Sequence, residues 1–450
     1  MKTLGTVAAL QADLARGATT SVALTERALA AAADPQGEGP RAFTKLYRDA
    51  ALAQARASDA LRKAGIVASP VAGLPISIKD LFDVAGETTL AGSVVRKGAP
   101  AAGQDAAAIA RLRQAGAVIV GRTNMTEFAY SGLGINPHYG TPANLYDRAA
   151  RRIPGGSSSG AAVSVTDGMA VAGIGTDTGG SVRIPSALNG ITGFKPTARR
   201  VPTSGCFPLS STLDSVGPLA ASVACCAVFD AIMAGAEPVV PPALPIAGLR
   251  LGAVQKFVLD GVDRTVAAAY QAALRKLAAA GARIVDVAFD ELLEIPKINA
   301  AGGFSPPEAF ALHRAMLASD EAKYDPRIAA RIKKGAAMTA SEYVDLISAR
   351  ADLISRANKV TAPFDAMMMP SVAVAAPPIA PLEADDELYM KTNMLILRNT
   401  ALGNLLDRCA ISLPCHVPGE APVGLMLMGE TMGDAKLLSV ALAVETALHK

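Results

Sequence analysis

Short apolar runs alternate with helical patterns along most of this chain, and that alternation narrows its fold more than any other feature. Residues 74–78 and 117–120 are almost wholly apolar, as suits strands buried on both faces, and residues 106–114 between them carry helical spacing. The pattern recurs where residues 249–254 and 283–287 flank a helical stretch over 263–280. Such alternation predicts an α/β layer architecture. Residues 1–65 read as helical, being rich in Ala and Leu with regularly spaced charges. Two capping boxes, Ser305-Pro306-Pro307-Glu308 and Thr339-Ala340-Ser341-Glu342, predict further helix starts.

Nothing in the 450 residues marks a linker. The Pro-rich stretch 238–245 is short and flanked by apolar segments, so one domain is expected over 1–450. It divides into a helical N-terminal segment (1–65), a core (66–235) and the rest of the sheet with pocket elements (236–450). Hydrophobic residues make up 51% and charged ones 18%, enough for a large core and far from a disordered composition. A net charge of +3 without a basic stripe, and without tryptophan, argues against a nucleic-acid partner. The most apolar run, 366–382, is broken by Pro370, Pro377, Pro378 and Pro381 and cannot span a bilayer. The first residues lack the apolar core and cleavage site of a secretion signal, and five cysteines with Cys225 and Cys226 adjacent form neither a disulfide framework nor a metal pair. Together these predict a cytoplasmic protein with reduced thiols and no membrane partner.

Three segments carry chemistry. Gly73-Leu74-Pro75-Ile76-Ser77-Ile78-Lys79-Asp80 closes an apolar strand with a lysine, whose buried charge is costly unless paired or neutralised. Snorkelling to the surface or pairing with Asp80 is the structural alternative. Pro154-Gly155-Gly156-Ser157-Ser158-Ser159-Gly160 is a loop open to unusual backbone conformations. In Thr176-Asp177-Thr178-Gly179-Gly180-Ser181-Val182-Arg183, two glycines before a serine let successive N–H groups converge on one point, the construction of an oxyanion hole. Each of the last two segments alone could be only a turn.

Other sites fail their own requirements. No glycine precedes the lysine and hydroxyl of a P-loop, and Gly173-Ile174-Gly175 lacks the third glycine of a dinucleotide fingerprint. Residues 156–160 satisfy G-x-S-x-G, with Ser158 as nucleophile, but the charged residues upstream are unlike a strand and none of the four histidines is well placed as base. No histidine cluster suggests a metal. A lysine base remains: burial can lower its pKa from ~10.4 to roughly 7–8, where it accepts protons effectively.

The three segments in this order resemble the amidase-signature family, strongly over residues 60–230 and more loosely over 360–445. The serines of the second and third segments stand 24 residues apart (181 − 157), as in that family. Gly121-Arg122-Thr123-Asn124-Met125-Thr126-Glu127-Phe128, Gly193-Phe194-Lys195-Pro196-Thr197, the stretch 364–370 and Pro422-Val423-Gly424-Leu425 match too. The resemblance implies a single α/β/α domain with a mixed, mainly parallel sheet wrapped in helices. It implies Ser181 as nucleophile, Ser157 as relay after a cis Gly156–Ser157 peptide, and Lys79 as base. The N–H groups of Thr178, Gly179, Gly180 and Ser181 become the oxyanion donors. No metal or cofactor is expected. Met125, Tyr130 and Ser131 are candidates for the substrate pocket, and Asp177, Arg183 and Ser158 for support around the triad. The expected activity is hydrolysis of small to medium amides, carbamates or esters by a stand-alone enzyme, with a homodimer as one allowed assembly. The alternative is the amidase subunit of a tRNA-dependent amidotransferase. Ser159 before Gly160, Leu145 after Asn144 and Met426 where glutamine is common depart from the family pattern and bear on substrate choice. Met367, Met368 and Met369 read as core, while Met394 and Met426 are candidates for an adaptable pocket wall.

Overall fold

The apolar runs become strands of one continuous sheet. The computed structural model describes residues 3–449, leaving Met1, Lys2 and Lys450 outside, and eleven strands lie among them. These are β1 (Phe43–Leu46), β2 (Pro75–Lys79), β3 (Val118–Thr123), β4 (Ala172–Asp177), β5 (Thr192–Lys195), β6 (Ser215–Ala220), β7 (Arg250–Val254), β8 (Arg283–Val287), β9 (Ala366–Pro370), β10 (Ala410–Pro414) and β11 (Gly424–Met428). Their spatial order is β1-β3-β2-β4-β6-β5-β10-β11-β9-β7-β8. The sheet is mixed and surrounded by helices, as the resemblance implied. Its parallel ladders are β3–β2, β2–β4, β9–β7 and β7–β8, with antiparallel pairing through the centre. Parallel strands need crossovers, and the helices Ala107–Gln114, Arg264–Ala279 and Ser159–Thr166 fall in those connections.

The residues of β2, β3, β4, β6, β9 and β11 are buried without exception, which is why their sequences do not alternate. Met367, Met368 and Met369 are core residues of β9, at most 1% exposed. The stretch 238–245 runs from the helix Val223–Ala234 into β7, a strand of the same sheet, so it separates nothing. All five cysteines are free. No helix among the described residues is long and apolar enough to cross a membrane.

Two expectations need correction. The N-terminal 65 residues are not helical throughout: β1 interrupts them, pairing antiparallel with β3, because edge pairing there outweighs the local Ala-rich preference. Ser305 does not open a capping box either. Phe304 occupies the cap position, without a side-chain bond, and Glu308 is drawn elsewhere, accepting from Ser210 Oγ (2.5 Å), Thr212 N (3.1 Å), Thr212 Oγ1 and Tyr343 Oη (2.6 Å). The box at Thr339 does form, with Glu342 N donating to Thr339 Oγ1 (3.2 Å) and Thr339 N to Glu342 Oε2 (2.8 Å).

Candidate active site

β2 and β4 are parallel neighbours, so their C-terminal ends emerge on the same edge of the sheet. One end delivers Lys79; the other leads from Thr176 into the turn 178–181. Lys79 is completely buried, and its Nζ donates to Ser157 Oγ at 2.7 Å and to Thr176 Oγ1 at 2.9 Å. The structural alternative of an ion pair with Asp80 is absent: that carboxylate is bound by Arg122 Nε at 2.8 Å and by the Gly92 N–H at 3.1 Å. Burial drives the Lys79 ammonium down to about 7, against the opposing pull of Asp214 and Asp177. Burial with hydroxyl partners thus shifts this lysine towards its neutral form.

Ser157 follows a cis Gly156–Ser157 peptide and is itself fully buried. Its carbonyl accepts from Thr126 N at 3.1 Å, and Gly156 N donates to Gly132 O at 2.7 Å, which fixes the loop against segment 124–132. Glycine is required at 156: a Cβ there would stand 2.6 Å from Gly134 N. Ser158 is not placed as a nucleophile. It occupies the cap position of the helix Ser159–Thr166 without a side-chain capping bond; its N–H reaches Ser181 O at 3.4 Å and its hydroxyl reaches Thr176 O at 3.4 Å, tying the second segment to the third.

The turn 178–181 is held from three sides. Gly180 has φ +138° and a Cβ on it would fall 2.1 Å from Thr400 Oγ1, so only glycine fits. Thr400 Oγ1 in turn donates to Gly179 O at 2.7 Å. Thr178 Oγ1 donates to Asp214, whose other oxygen accepts from Leu209 N (2.9 Å) and Ser210 N (3.2 Å); desolvation pushes this carboxyl up to about 6. Among the described residues the N–H groups of Thr178, Gly179, Gly180 and Ser181 make no hydrogen bond within the chain, so they remain available to an oxyanion. Ser181 is 3% exposed.

Asp177 and Arg183 form a wholly buried pair at 2.8 Å behind this turn. Burial would raise the carboxyl, but the guanidinium beside it prevails and holds it at about 2. Asn404 Nδ2 donates to Asp177 O (2.9 Å) and Oδ1 (3.0 Å), and its Oδ1 accepts from Arg183 Nη2 (2.8 Å). Met426 faces this pair, its sulfur 3.2 Å from Arg183 Nη1, rather than an open pocket, and Met394 is 60% exposed. Of the pocket candidates, Ser131 Oγ donates to Asn393 Oδ1 at 2.9 Å. Met125 is buried with both backbone polar groups bonded locally, and Tyr130 is buried beneath the Arg331 guanidinium, 4.4 Å from the ring centre. Among the described residues no group of three or more His, Cys, Asp or Glu side chains has a metal-site arrangement. Thr176, Asp214, Thr400 and Asn404 were not anticipated. For the last two a signal existed, since polar residues recur at helical spacing along 393–404.

The fold and this site define an amide-bond hydrolase. The model of the amidase family matches residues 24–438, and the chain belongs to that family, whose members cleave C–N bonds. It is 35% identical over 398 residues to 2-amino-5-chloromuconic acid deaminase of Comamonas testosteroni, covering 88% of this chain and 86% of the relative. It is 35% identical to a glutamyl-tRNA(Gln) amidotransferase subunit of Chloroflexus aurantiacus strain J-10-fl, covering 97% and 95%. A solved amidase structure superposes with a TM-score of 0.87 at 31% identity, covering 98% of this chain and 99% of the other.

Proposed function

We propose that this chain hydrolyses small to medium amides, and carbamates or esters with the same carbonyl chemistry, through an acyl intermediate on Ser181. The observation that carries this reading is the buried Lys79 Nζ, 2.7 Å from Ser157 Oγ and without a carboxylate partner among the described residues. Ser181 Oγ attacks the carbonyl carbon as its proton passes to Ser157 Oγ and the Ser157 proton passes to neutral Lys79. The oxyanion forms against the free N–H groups of residues 178–181. Collapse breaks the C–N bond; Lys79 returns a proton through Ser157 to the departing nitrogen, and water cleaves the ester by the reverse path. Asp177–Arg183 and Asp214 hold the turn without touching the reacting atoms.

The test is Lys79→Ala assayed on matched amide and ester substrates per folded molecule. Amide turnover should fall by ~10³-fold or more and ester turnover by less, because an alkoxide leaves without the proton an amine requires. Wild-type kcat/KM should rise with pH through about 7 and then level off. Equal, modest losses on both substrates, with the pH limb unmoved, would place the base elsewhere. The similarity to the amidotransferase subunit favours a second reading, in which the chain works inside a complex. A stable partner recovered on pull-down supports it; gel filtration of a lone species with amide turnover rejects it.

A further inference from the structure

The helix Asp386–Leu405 meets the site along one stripe. Asn393, Leu397, Thr400 and Asn404 follow at spacings of four, three and four, which keeps their side chains on one helical face. Three of the four grip the site's backbone. Asn393 Oδ1 accepts from Gly132 N at 2.8 Å and from Ser131 Oγ, Thr400 donates to Gly179 O, and Asn404 donates to Asp177 O. All three are buried. Leu397, between them, is partly exposed and offers no polar atom.

Its position is bracketed by two bare backbones. A Cβ added to Gly179 would lie 3.5 Å from Leu397 Cδ2, and one added to Gly132 would lie 3.3 Å from the same atom. The isobutyl group thus bridges the turn before Ser181 and the segment Ser131–Gly132. Gly179 is the one residue of the turn 178–181 left partly open, so a substrate reaching the free N–H groups passes beside Leu397. Met390 and Met394 stand within roughly 60° of Leu397 around the helix, and both have exposed surface, so the apolar wall continues outward. Thioether side chains suit ligands of varied shape.

We propose that Leu397 sets the substrate class of this site: amides with an uncharged, apolar acyl group, to the exclusion of zwitterionic acyl groups such as that of glutamine. The inference rests on Ser181 being the nucleophile. An ammonium brought against Leu397 loses hydration and gains no acceptor there, whereas an alkyl or aryl group gains contact. It also deepens the choice between the two functional readings, because an ammonia donor of the glutamine type meets the wrong wall.

The experiment measures kcat/KM for ammonia release from pentanamide, acetamide and glutamine by wild type, Leu397→Asp and Leu397→Ala. Pentanamide and glutamine share a carbon chain and differ in their charged groups. Wild type should prefer pentanamide by about 100-fold, and Leu397→Asp should narrow that ratio by about tenfold or more. Leu397→Ala, which keeps the site apolar and serves where the aspartate variant does not fold, should lower the pentanamide-to-acetamide ratio by about tenfold. Wild type that uses glutamine as well as pentanamide, or ratios that neither variant moves, would overturn the inference while leaving the amidase reading intact. No turnover of any amide, with Ser181 unlabelled by a fluorophosphonate, would overturn both.

Discussion

β3-β2-β4 on one flank of the sheet and β9-β7-β8 on the other are both blocks of three parallel strands. Their interiors differ. The first block buries Ser77, Lys79, Asp80, Arg122, Thr123, Thr176 and Asp177, and joins them by bonds such as Lys79 Nζ to Thr176 Oγ1 at 2.9 Å and Arg122 Nε to Asp80 Oδ1 at 2.8 Å. The second buries Leu251, Ala253 and Val254 with Met367, Met368 and Met369, and ends in β8, a half-exposed edge strand. Parallel topology alone brings strand ends together in both places. Chemistry appears where the block lies between β1 and β6 and can shield a lysine from water on every side. The same burial that pushes the Lys79 ammonium towards its neutral form makes it a liability for the fold.

That contrast can be broken by substitution. Lys79→Met should abolish amide turnover yet stabilise the protein at pH 6 by roughly 3–5 kcal/mol, from the gap between about 7 and the ordinary lysine value. The sign follows from proton counting: between the folded and unfolded pKa values the unfolded chain binds the extra proton. The penalty is therefore full below about 7 and fades as pH rises towards 10, so the two proteins should converge there in urea melts. A variant less stable than wild type at pH 6 would contradict a destabilising Lys79. In the second block, Met368→Ala should cost about 2–4 kcal/mol while kcat per folded molecule holds, since it only opens a cavity. A fall in kcat beyond the folded fraction would tie that block to the site after all. The smallest effect belongs to Thr339→Ala, which removes the cap of the helix Ala340–Thr361 and should lower stability by about 1 kcal/mol with kinetics unchanged.

Much of the first block was legible in the sequence because its signals are local. Lys79 stands out at the end of an apolar strand, and Gly179-Gly180-Ser181 announces a turn that only glycine can make. The partners that hold these groups were not legible in the same way. Thr176 looks like any strand threonine until β4 is placed beside β2. Asp214 reaches Thr178 across 36 residues and Asn404 reaches Asp177 across 227, distances over which no spacing rule operates. Glu308 had the local pattern of a capping residue, but three hydroxyls and an amide from Ser210, Thr212 and Tyr343 offered it more than one backbone N–H could. β1 was hidden for the opposite reason: its residues have no marked strand pattern, and β3 supplies the edge that makes them one.

The strand order also fixes when the site can exist. Strands β1 to β6 are complete once residue 220 has been made, and β7, β8 and β9 once residue 370 has, yet no ladder joins those two halves. β10 and β11, residues 410–428, are the keystone laid between β5 and β9. The helix bearing Leu397, Thr400 and Asn404 comes off the ribosome just ahead of that keystone, some two hundred residues after Ser181. During synthesis Ser181 therefore emerges long before its turn can be fastened, and the nascent chain carries it unheld until the arch closes.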